Sequence, residues 1–334
     1  MARDKRLRAN VFSTRGDSKA TDPRDKRKVL ISRTGRIFDV SDREAEALLS
    51  FSRRQSVRIN PLASRPPAEI EKDLAVFGAG LRKIEWIEGA YHLDLGRSEE
   101  LPRELFDRGE LFIQNASSFL PVLALEPKPG ERILDLCASP GGKSSLIAAL
   151  TRNAAELWLN DGIATRLPKL KEVVELLHVR THSITAHPGQ FIDRHLDGPF
   201  DNILIDAQCT GEGMIDLNRR ESYRYWSYER VQKYSMLQRK MLIAAHKLLK
   251  PGGVMVYSTC TFSPEENEVP VAHLLKHRSD MRLESIDLPV PELIPARRDW
   301  NGQDFGHAMT LARRVKPSTF LEGFFLARLR KAAG

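Results

Sequence analysis

Two apolar runs in the sequence end in reactive side chains. Ile203-Leu204-Ile205-Asp206-Ala207-Gln208-Cys209-Thr210-Gly211-Glu212-Gly213 passes from aliphatics to a carboxylate and then a thiol, and Val254-Met255-Val256-Tyr257-Ser258-Thr259-Cys260-Thr261 ends on a second thiol. A core thiol would more naturally lie within such a run. Thiols just beyond two strands of an open α/β sheet face the crevice at its carboxyl edge, where catalytic groups collect. The pair suits covalent catalysis on an electron-poor ring carbon. C5 of cytosine is a weak nucleophile that takes a methyl group from a sulfonium only after something has added to C6. A thiolate adding there makes C5 enamine-like, and an acidic group near N3 stabilises the developing charge. Cys260 is assigned to the attack and Cys209 to release. Asp206, protonated or sharing a proton with N3, steadies the base, which requires a pKa raised by a closed, partly desolvated site. Loss of the C5 proton then calls for a base or a water held by one. The cytosine itself must be flipped or unpaired to reach the pocket.

A third segment, Leu134-Asp135-Leu136-Cys137-Ala138-Ser139-Pro140-Gly141-Gly142-Lys143-Ser144-Ser145, reads as a strand, a small-residue turn and a helix start. Glycines admit a ligand close to the backbone, and the free N–H groups of a helix N-terminus accept an anionic group. A purely structural turn is the competing reading. The NTPase P-loop needs a glycine where Cys137 stands, and the dinucleotide G-x-G-x-x-G spacing is absent. What remains is the turn of an S-adenosylmethionine site, with Asp161 ending the next strand where a carboxylate can take a ribose's two hydroxyls. Taken alone, Asp161 reads equally as the cap of the following helix. Lys143, opening the helix, either contacts the cytosine and lowers a nearby thiol's pKa or is an ordinary exposed lysine.

The elements that must position these groups alternate from Leu111 onward in the manner of a doubly wound, Rossmann-like α/β sheet. Strands are expected at Arg132-Leu136, Leu157-Asn160, Phe200-Asp206, Val254-Ser258 and Gly323-Leu329, and helices at Lys143-Thr151, Thr165-Leu177 and Ser227-Lys250. This domain is taken as residues 108–334. Before it, residues 31–107 form a smaller α+β domain assigned to RNA binding, with short apolar runs at Val29-Leu30-Ile31 and Val57-Arg58-Ile59 and a helix over Pro67-Leu81; Leu101-Glu110 is the hinge. Residues 1–30, polar and crowded with Arg and Lys, read as a basic flexible arm.

With 334 residues, 41% of them hydrophobic, the chain can bury a core in each domain. It shows no apolar run of the roughly 20 residues that a spanning helix needs and no signal-peptide pattern, so a cytoplasmic protein without a membrane partner is expected. The three cysteines lie dozens of residues apart, which excludes a zinc-like spacing, predicts no metal and suits reduced thiols. A net charge of +8 favours a polyanionic partner, with simple solubility as the bland alternative. A monomer is expected.

Together these segments resemble the Fmu/Sun family of RNA cytosine-C5 methyltransferases, which carries a D-x-C-A-A-P-G-G-K loop, a D-A-P-C-S-G-x-G strand end and an S-T-C-T strand end in this order. Flanking pieces are similar too: Arg58-Ile59-Asn60, Gln114-Asn115-Ala116-Ser117-Ser118, Pro264-Glu265-Glu266-Asn267-Glu268 and Gly323-Phe324-Phe325. The resemblance spans Val57 to Leu329 and is greatest to the bacterial small-subunit ribosomal RNA methyltransferase F subgroup. It implies S-adenosyl-L-methionine as cofactor and RNA as substrate, ribosomal before transfer RNA. It also implies Cys260 as nucleophile, Cys209 as release thiol, and Cys137, Ala138, Ser139, Pro140, Gly141, Gly142, Lys143, Asp161 and Asp206 lining the cofactor and base site. Three departures stand out. Gln208 replaces the usual proline, the stretch His187-Pro188-Gly189-Gln190 lacks the acidic residue that relatives hold near the adenine, with Gln190 as its stand-in, and the sequence ends soon after Gly323-Phe324-Phe325 without the appended RNA-binding module of some relatives. The rival reading is a non-catalytic RNA-binding or ribosome-assembly factor on the same scaffold; DNA or protein methylation fits the cysteine pair and flanking motifs less well.

Overall fold

A computed structural model describes residues 23–50, 53–94 and 101–333. Helices α1 (Pro23–Phe38) and α2 (Asp42–Leu48) precede a small sheet. Its strands are β1 (Ser56–Ile59), β2 (Leu81–Lys83) and β3 (Ala90–Leu93), with α3 (Pro67–Leu74) between the first two; α4 (Arg103–Asp107) then leads to β4 (Leu111–Ile113). The order is β2-β3-β1-β4, all antiparallel. Ile70 and Leu74 of α3 pack against Val57, Ile59 and Leu111 from this sheet.

The large sheet follows. After α5 (Leu120–Leu125) come β5 (Arg132–Asp135), α6 (Gly142–Leu150), β6 (Glu156–Asn160), α7 (Leu167–Leu176), β7 (Ser183–Thr185), β8 (Phe200–Asp206), α8 (Tyr228–Leu248), β9 (Leu249–Thr259) and α9 (Glu268–His277). Then come β10 (Met281–Glu284), β11 (Leu293–Pro295), the hairpin β12 (Asp299–Trp300) and β13 (Gln303–Asp304), β14 (Arg313–Val315) and β15 (Phe324–Lys331). Strands β7-β6-β5-β8-β9 are parallel, and β15, β14, β11 and β10 extend the sheet antiparallel. The order reverses between β5 and β8. At such a switch point the flanking helices leave to opposite faces, opening a crevice at the carboxyl edge.

Both faces of the sheet are covered, which is why Ile203-Leu204-Ile205 in β8 are consecutive aliphatics and do not alternate with polar residues. Leu204 joins the layer of α5, α6 and α7, while Ile203 and Ile205 join that of α8 and α9. Burying each such aliphatic contributes about 1.5–3 kcal/mol. Among the described residues no helix is long and apolar enough to cross a membrane.

The outcome differs from expectation at the first domain. Residues 23–30, expected in the flexible arm, open helix α1, in which Leu30, Ile31 and Ile37 dock against Phe262 and Trp300; residues 1–22 lie outside the described residues. Residues 111–113, placed at the entrance of the large domain, pair instead with β1. The hinge contains α4, and the helix expected to run to Leu81 stops at Leu74 and tightens into a 3-10 turn. Helix α8 ends at Leu248, because Leu249 already pairs with Phe200 as the start of β9.

Candidate active site

The loop from Cys137 to Lys143 leaves β5 at the switch point. Gly141 adopts φ of +111°, and a Cβ there would sit 3.0 Å from Val173, so only glycine lets α6 begin so close to α7. Asp161, just past β6, accepts from the Ser139 N–H at 3.2 Å and the Ile163 N–H at 3.0 Å and pairs with Arg166 at 3.2 Å. It thus ties the loop while also capping its own turn. A cavity of about 580 Å³ opens alongside, lined by Cys137, Ser139, Asp161, Asp206, Cys209 and Cys260 among others. Ala138, Pro140, Gly142 and Lys143 line a neighbouring cavity of about 230 Å³ that the small sheet closes with Phe112 and Ile113; Gly141 faces neither. Burial, with Asp135, Asp161 and Asp206 nearby, pushes the Cys137 thiol far up, so it stays neutral beside the Met241 sulfur at 3.7 Å.

The two thiols meet. Cys209 Sγ lies 3.3 Å from Cys260 Sγ. The contact with Cys260 and burial raise the Cys209 pKa well above the ordinary thiol value, so Cys209 keeps its hydrogen, and either sulfur can donate across the contact. Asp206 accepts from Ser258 Oγ at 2.8 Å and pairs with Lys143 Nζ at 2.7 Å. Burial pulls Lys143 down, but the Asp206 carboxylate more than offsets it, leaving the ammonium above its usual pKa. The sequence reading had Asp206 protonated or sharing a proton with N3; the structure adds Lys143 as its direct partner. That lysine is a paired side chain of the site, not an exposed helical residue.

What holds the thiols is the stretch after Cys260, in which successive side chains reach different parts of the chain. Glu265 pairs with Arg33 of α1 at 2.9 Å and accepts from Trp300 Nε1 at 2.9 Å; burial opposes its charge, but Arg33 brings its pKa down to about 2. Glu266 accepts the Thr210 N–H at 3.0 Å and the Gln238 amide at 3.2 Å, fixing the Cys209 loop. Asn267 donates to the Thr261 carbonyl at 3.0 Å and accepts from Thr259 Oγ1 at 2.6 Å, fixing the Cys260 turn. Glu268 accepts Arg314 Nε at 2.7 Å. Gly213 closes the frame: its N–H donates to the Cys260 carbonyl at 2.9 Å, and a Cβ would stand 1.8 Å from the Gly323 carbonyl oxygen. The glycines of two separate motifs are there because their backbones touch.

Burial and the neighbouring Glu212 push Glu266 up to about 8. Because the folded chain holds this proton while the unfolded one, near pKa 4.5, releases it, the contribution to stability is full below about pH 4.5 and is lost as pH rises to about 8. Glu266→Gln, which mimics the protonated form, should remove a decline of up to about 1.4 kcal/mol per pH unit across that window. Denaturant melts of both proteins at pH 5 and pH 8 measure it; parallel declines would contradict it.

Further contributors are named in the sequence only within flanking segments, as are Arg58 and Asn60, or as a stand-in, as is Gln190, or are given no role there. Arg58, fully buried in β1, donates to Gln114 Oε1 at 3.2 Å and to Ser145 Oγ, so the small sheet grips the first turn of α6; burial lowers its pKa to about 10. Asn60 donates to the carbonyls of Gly109 and Leu177 at 2.9 and 3.0 Å. From α8, Tyr234, Leu237, Gln238 and Met241 line the large cavity, with Pro188, Gly189 and Gln190 opposite. The Gln208 carbonyl is held by Gln238 Nε2 at 3.0 Å, an anchor for the loop that lacks the usual proline. Arg314 is buried against Glu268 and the Phe262 carbonyl, so it is unavailable to a ligand. Among the described residues no cluster of three or more His, Cys, Asp or Glu is poised to hold a metal.

Comparison with known proteins places this geometry in context. Residues 122–330 match the family model described as 16S rRNA methyltransferase RsmB/F. The tRNA (cytosine(49)-C(5))-methyltransferase of Pyrococcus abyssi is 34% identical over 91% of this chain and 96% of its own length. The ribosomal RNA small subunit methyltransferase F of Citrobacter koseri is 34% identical over 84% of this chain, which spans 57% of that longer protein. Among solved structures, a methyltransferase homolog protein from Pyrococcus horikoshii superposes with a TM-score of 0.72 at 29% identity, covering 91% of this chain and 99% of its own.

Proposed function

Since the chain belongs to the 16S rRNA methyltransferase RsmB/F family, we propose that it transfers a methyl group from S-adenosyl-L-methionine to C5 of a cytosine in ribosomal RNA through a covalent Cys260–C6 adduct. The observation that carries this reading is the pair of thiols, 3.3 Å apart, beside the Lys143–Asp206 ion pair at the sheet's switch point.

The large cavity suits the cofactor: about 580 Å³ accommodates a nucleoside-sized ligand, and Asp161 stands at its edge with a carboxylate for vicinal hydroxyls. The cofactor supplies an electrophilic methyl group on sulfur. Everything else falls to side chains. Cys260 Sγ adds to C6, and the charge that develops on the ring is met at N3 by the proton that Lys143 and Asp206 share. After C5 is methylated, its proton passes to a cavity water, because Cys209 retains its own. The double bond re-forms and expels Cys260 as thiolate, which the Cys209 S–H stabilises through the short contact already in place. Asp206→Asn should therefore lower kcat roughly 10²–10³-fold with a smaller change in KM for cofactor, since the lost interaction belongs to the transition state. Steady-state labelling of RNA measures it, and an unchanged kcat with a raised KM for cofactor would place Asp206 in binding alone.

The small sheet, residues 56–113, is assigned to the RNA-facing side, and a reducing cytoplasm suits three free thiols in a monomeric protein. Transfer RNA is the nearest competing substrate, because the archaeal relative named for it matches along nearly its whole length. Labelled cofactor offered with ribosomal and transfer RNA, followed by nucleoside analysis for 5-methylcytosine, tests the reading. Label in neither RNA despite cofactor binding would favour an assembly factor on this scaffold.

A further inference from the structure

One strongly basic surface adjoins the cavity mouth. Residues 214–240, from Met214 at the cavity through most of α8, carry seven Lys and Arg against three Asp and Glu, so this short stretch supplies four charges of a chain whose net is +8. Tyr223, Trp226 and Val231 are buried and anchor the segment, the Trp226 Nε1–H donating to Glu212 at 2.9 Å. Between them Arg224, Tyr225, Glu229 and Arg230 face solvent. Tyr225 is 65% exposed. The Arg224 guanidinium lies 4.5 Å from the Tyr225 ring centre. Arg230 donates to the Tyr225 carbonyl at 3.1 Å and to the Tyr234 hydroxyl at 3.2 Å. Tyr234 in turn lines the cavity holding both thiols. Among the described residues no carboxylate pairs with the side chains of Arg219, Arg220, Arg224 or Arg230.

An exposed aromatic ring, Tyr225, with a half-buried one, Tyr234, beside guanidinium groups that no carboxylate pairs matches single-stranded nucleic acid, whose unstacked bases need a platform and whose phosphates need cations. A duplex offers no free base face, and a protein partner would call for less positive charge. We propose that the segment from Arg219 to Tyr234 is a single-stranded RNA track, stacking a base that flanks the target cytosine on Tyr225 and holding backbone phosphates with Arg219, Arg220 and Arg224. The track rests on the RNA-methyltransferase reading above and adds to it how the strand reaches the cavity. It also accounts for the order of residues leading inward: Arg224 on Tyr225, Arg230 between Tyr225 and Tyr234, and Tyr234 at the rim.

The test uses the whole protein and a short cytosine-containing RNA, single-stranded or annealed to its complement, with Kd measured across a salt series and methyl transfer to ribosomal RNA followed in parallel. Wild type should prefer the single strand. Tyr225→Ala should weaken that binding roughly 5-fold or more while Tyr225→Phe restores it, as stacking requires. Replacing Arg219, Arg220 and Arg224 together by alanine should reduce the slope of log Kd against log salt by about 2, whereas Arg180→Ala, at the opposite edge of the sheet, leaves it unchanged. If wild type methylates RNA but these variants keep its affinity and slope, the track is wrong and the function stands. If wild type neither binds nor methylates RNA, both fall.

Discussion

Cys260→Ala should abolish methyl transfer to RNA, by roughly 10⁴-fold or more, while Cys209→Ala accumulates protein–RNA adducts that survive denaturant. The asymmetry follows from where each thiol acts. Without addition at C6, C5 of cytosine lacks the electron density to attack the methyl group, so the whole advantage of covalent catalysis is lost, about 5 kcal/mol or more of barrier. Cys209 contributes later. Cys209 keeps its hydrogen 3.3 Å from Cys260, and the departing thiolate can accept it only as the C6–S bond breaks. Removing it leaves addition and methylation in place and slows elimination, so adduct builds up. The double variant should form none. Labelled cofactor, denaturing gels and nucleoside analysis together read all three outcomes, and methylation by Cys260→Ala would remove the covalent mechanism altogether.

The largest loss of stability should come from Arg314→Ala, about 3–5 kcal/mol. Arg314 and Glu268 are both essentially inaccessible to water, and their guanidinium and carboxylate meet side-on through two hydrogen bonds, with Phe262 accepting a third at 2.6 Å. Truncating one partner strands the other's charge in a place water cannot reach, which costs more than the intact pair contributes. The melting temperature should fall on the order of 5–10 °C. Replacing both together, Arg314→Met with Glu268→Leu, should recover most of that loss, because no charge is then left alone. Calorimetry of the single and double variants decides it; a single variant melting within a degree of wild type would mean that solvent reaches the site.

Much of the large domain can be read from the chain because its central strands are buried on both faces. Phe200–Asp206, with Ile203-Leu204-Ile205 at its centre, is expected as a strand from the sequence and is a strand of the same bounds in the structure. The antiparallel extension is harder. Strands such as Leu293–Pro295 and Arg313–Val315 are three residues long, hold proline or charge, and gain their register only from β15. Helix α1 was hidden by its cations: Leu30, Arg33, Thr34 and Ile37 are buried at helical spacing, but an arginine among them reads as surface until Glu265, far along the chain, is known to receive it.

Within the site, the thiols and Asp206 were visible because each closes an apolar run. Tyr234, Leu237, Gln238 and Met241 were not, since at helical spacing a cavity wall looks like any core-facing stripe. The Lys143–Asp206 pair was equally out of reach. It is a 2.7 Å contact between the start of α6 and the end of β8, which the sequence places 63 residues apart.

The row of acids and amide after Cys260 ties helix α1, the Cys209 loop, the Cys260 turn and strand β14 to a single short segment. Such a segment cannot open at one of its attachments without loosening the others. Amide protons in those four places, though dozens to hundreds of residues apart, should exchange with solvent at one shared rate, and loosening α1 should quicken exchange at the thiol turns as much as in the helix itself. Resting precision at the sulfurs would then be set by fluctuations at the chain's two ends.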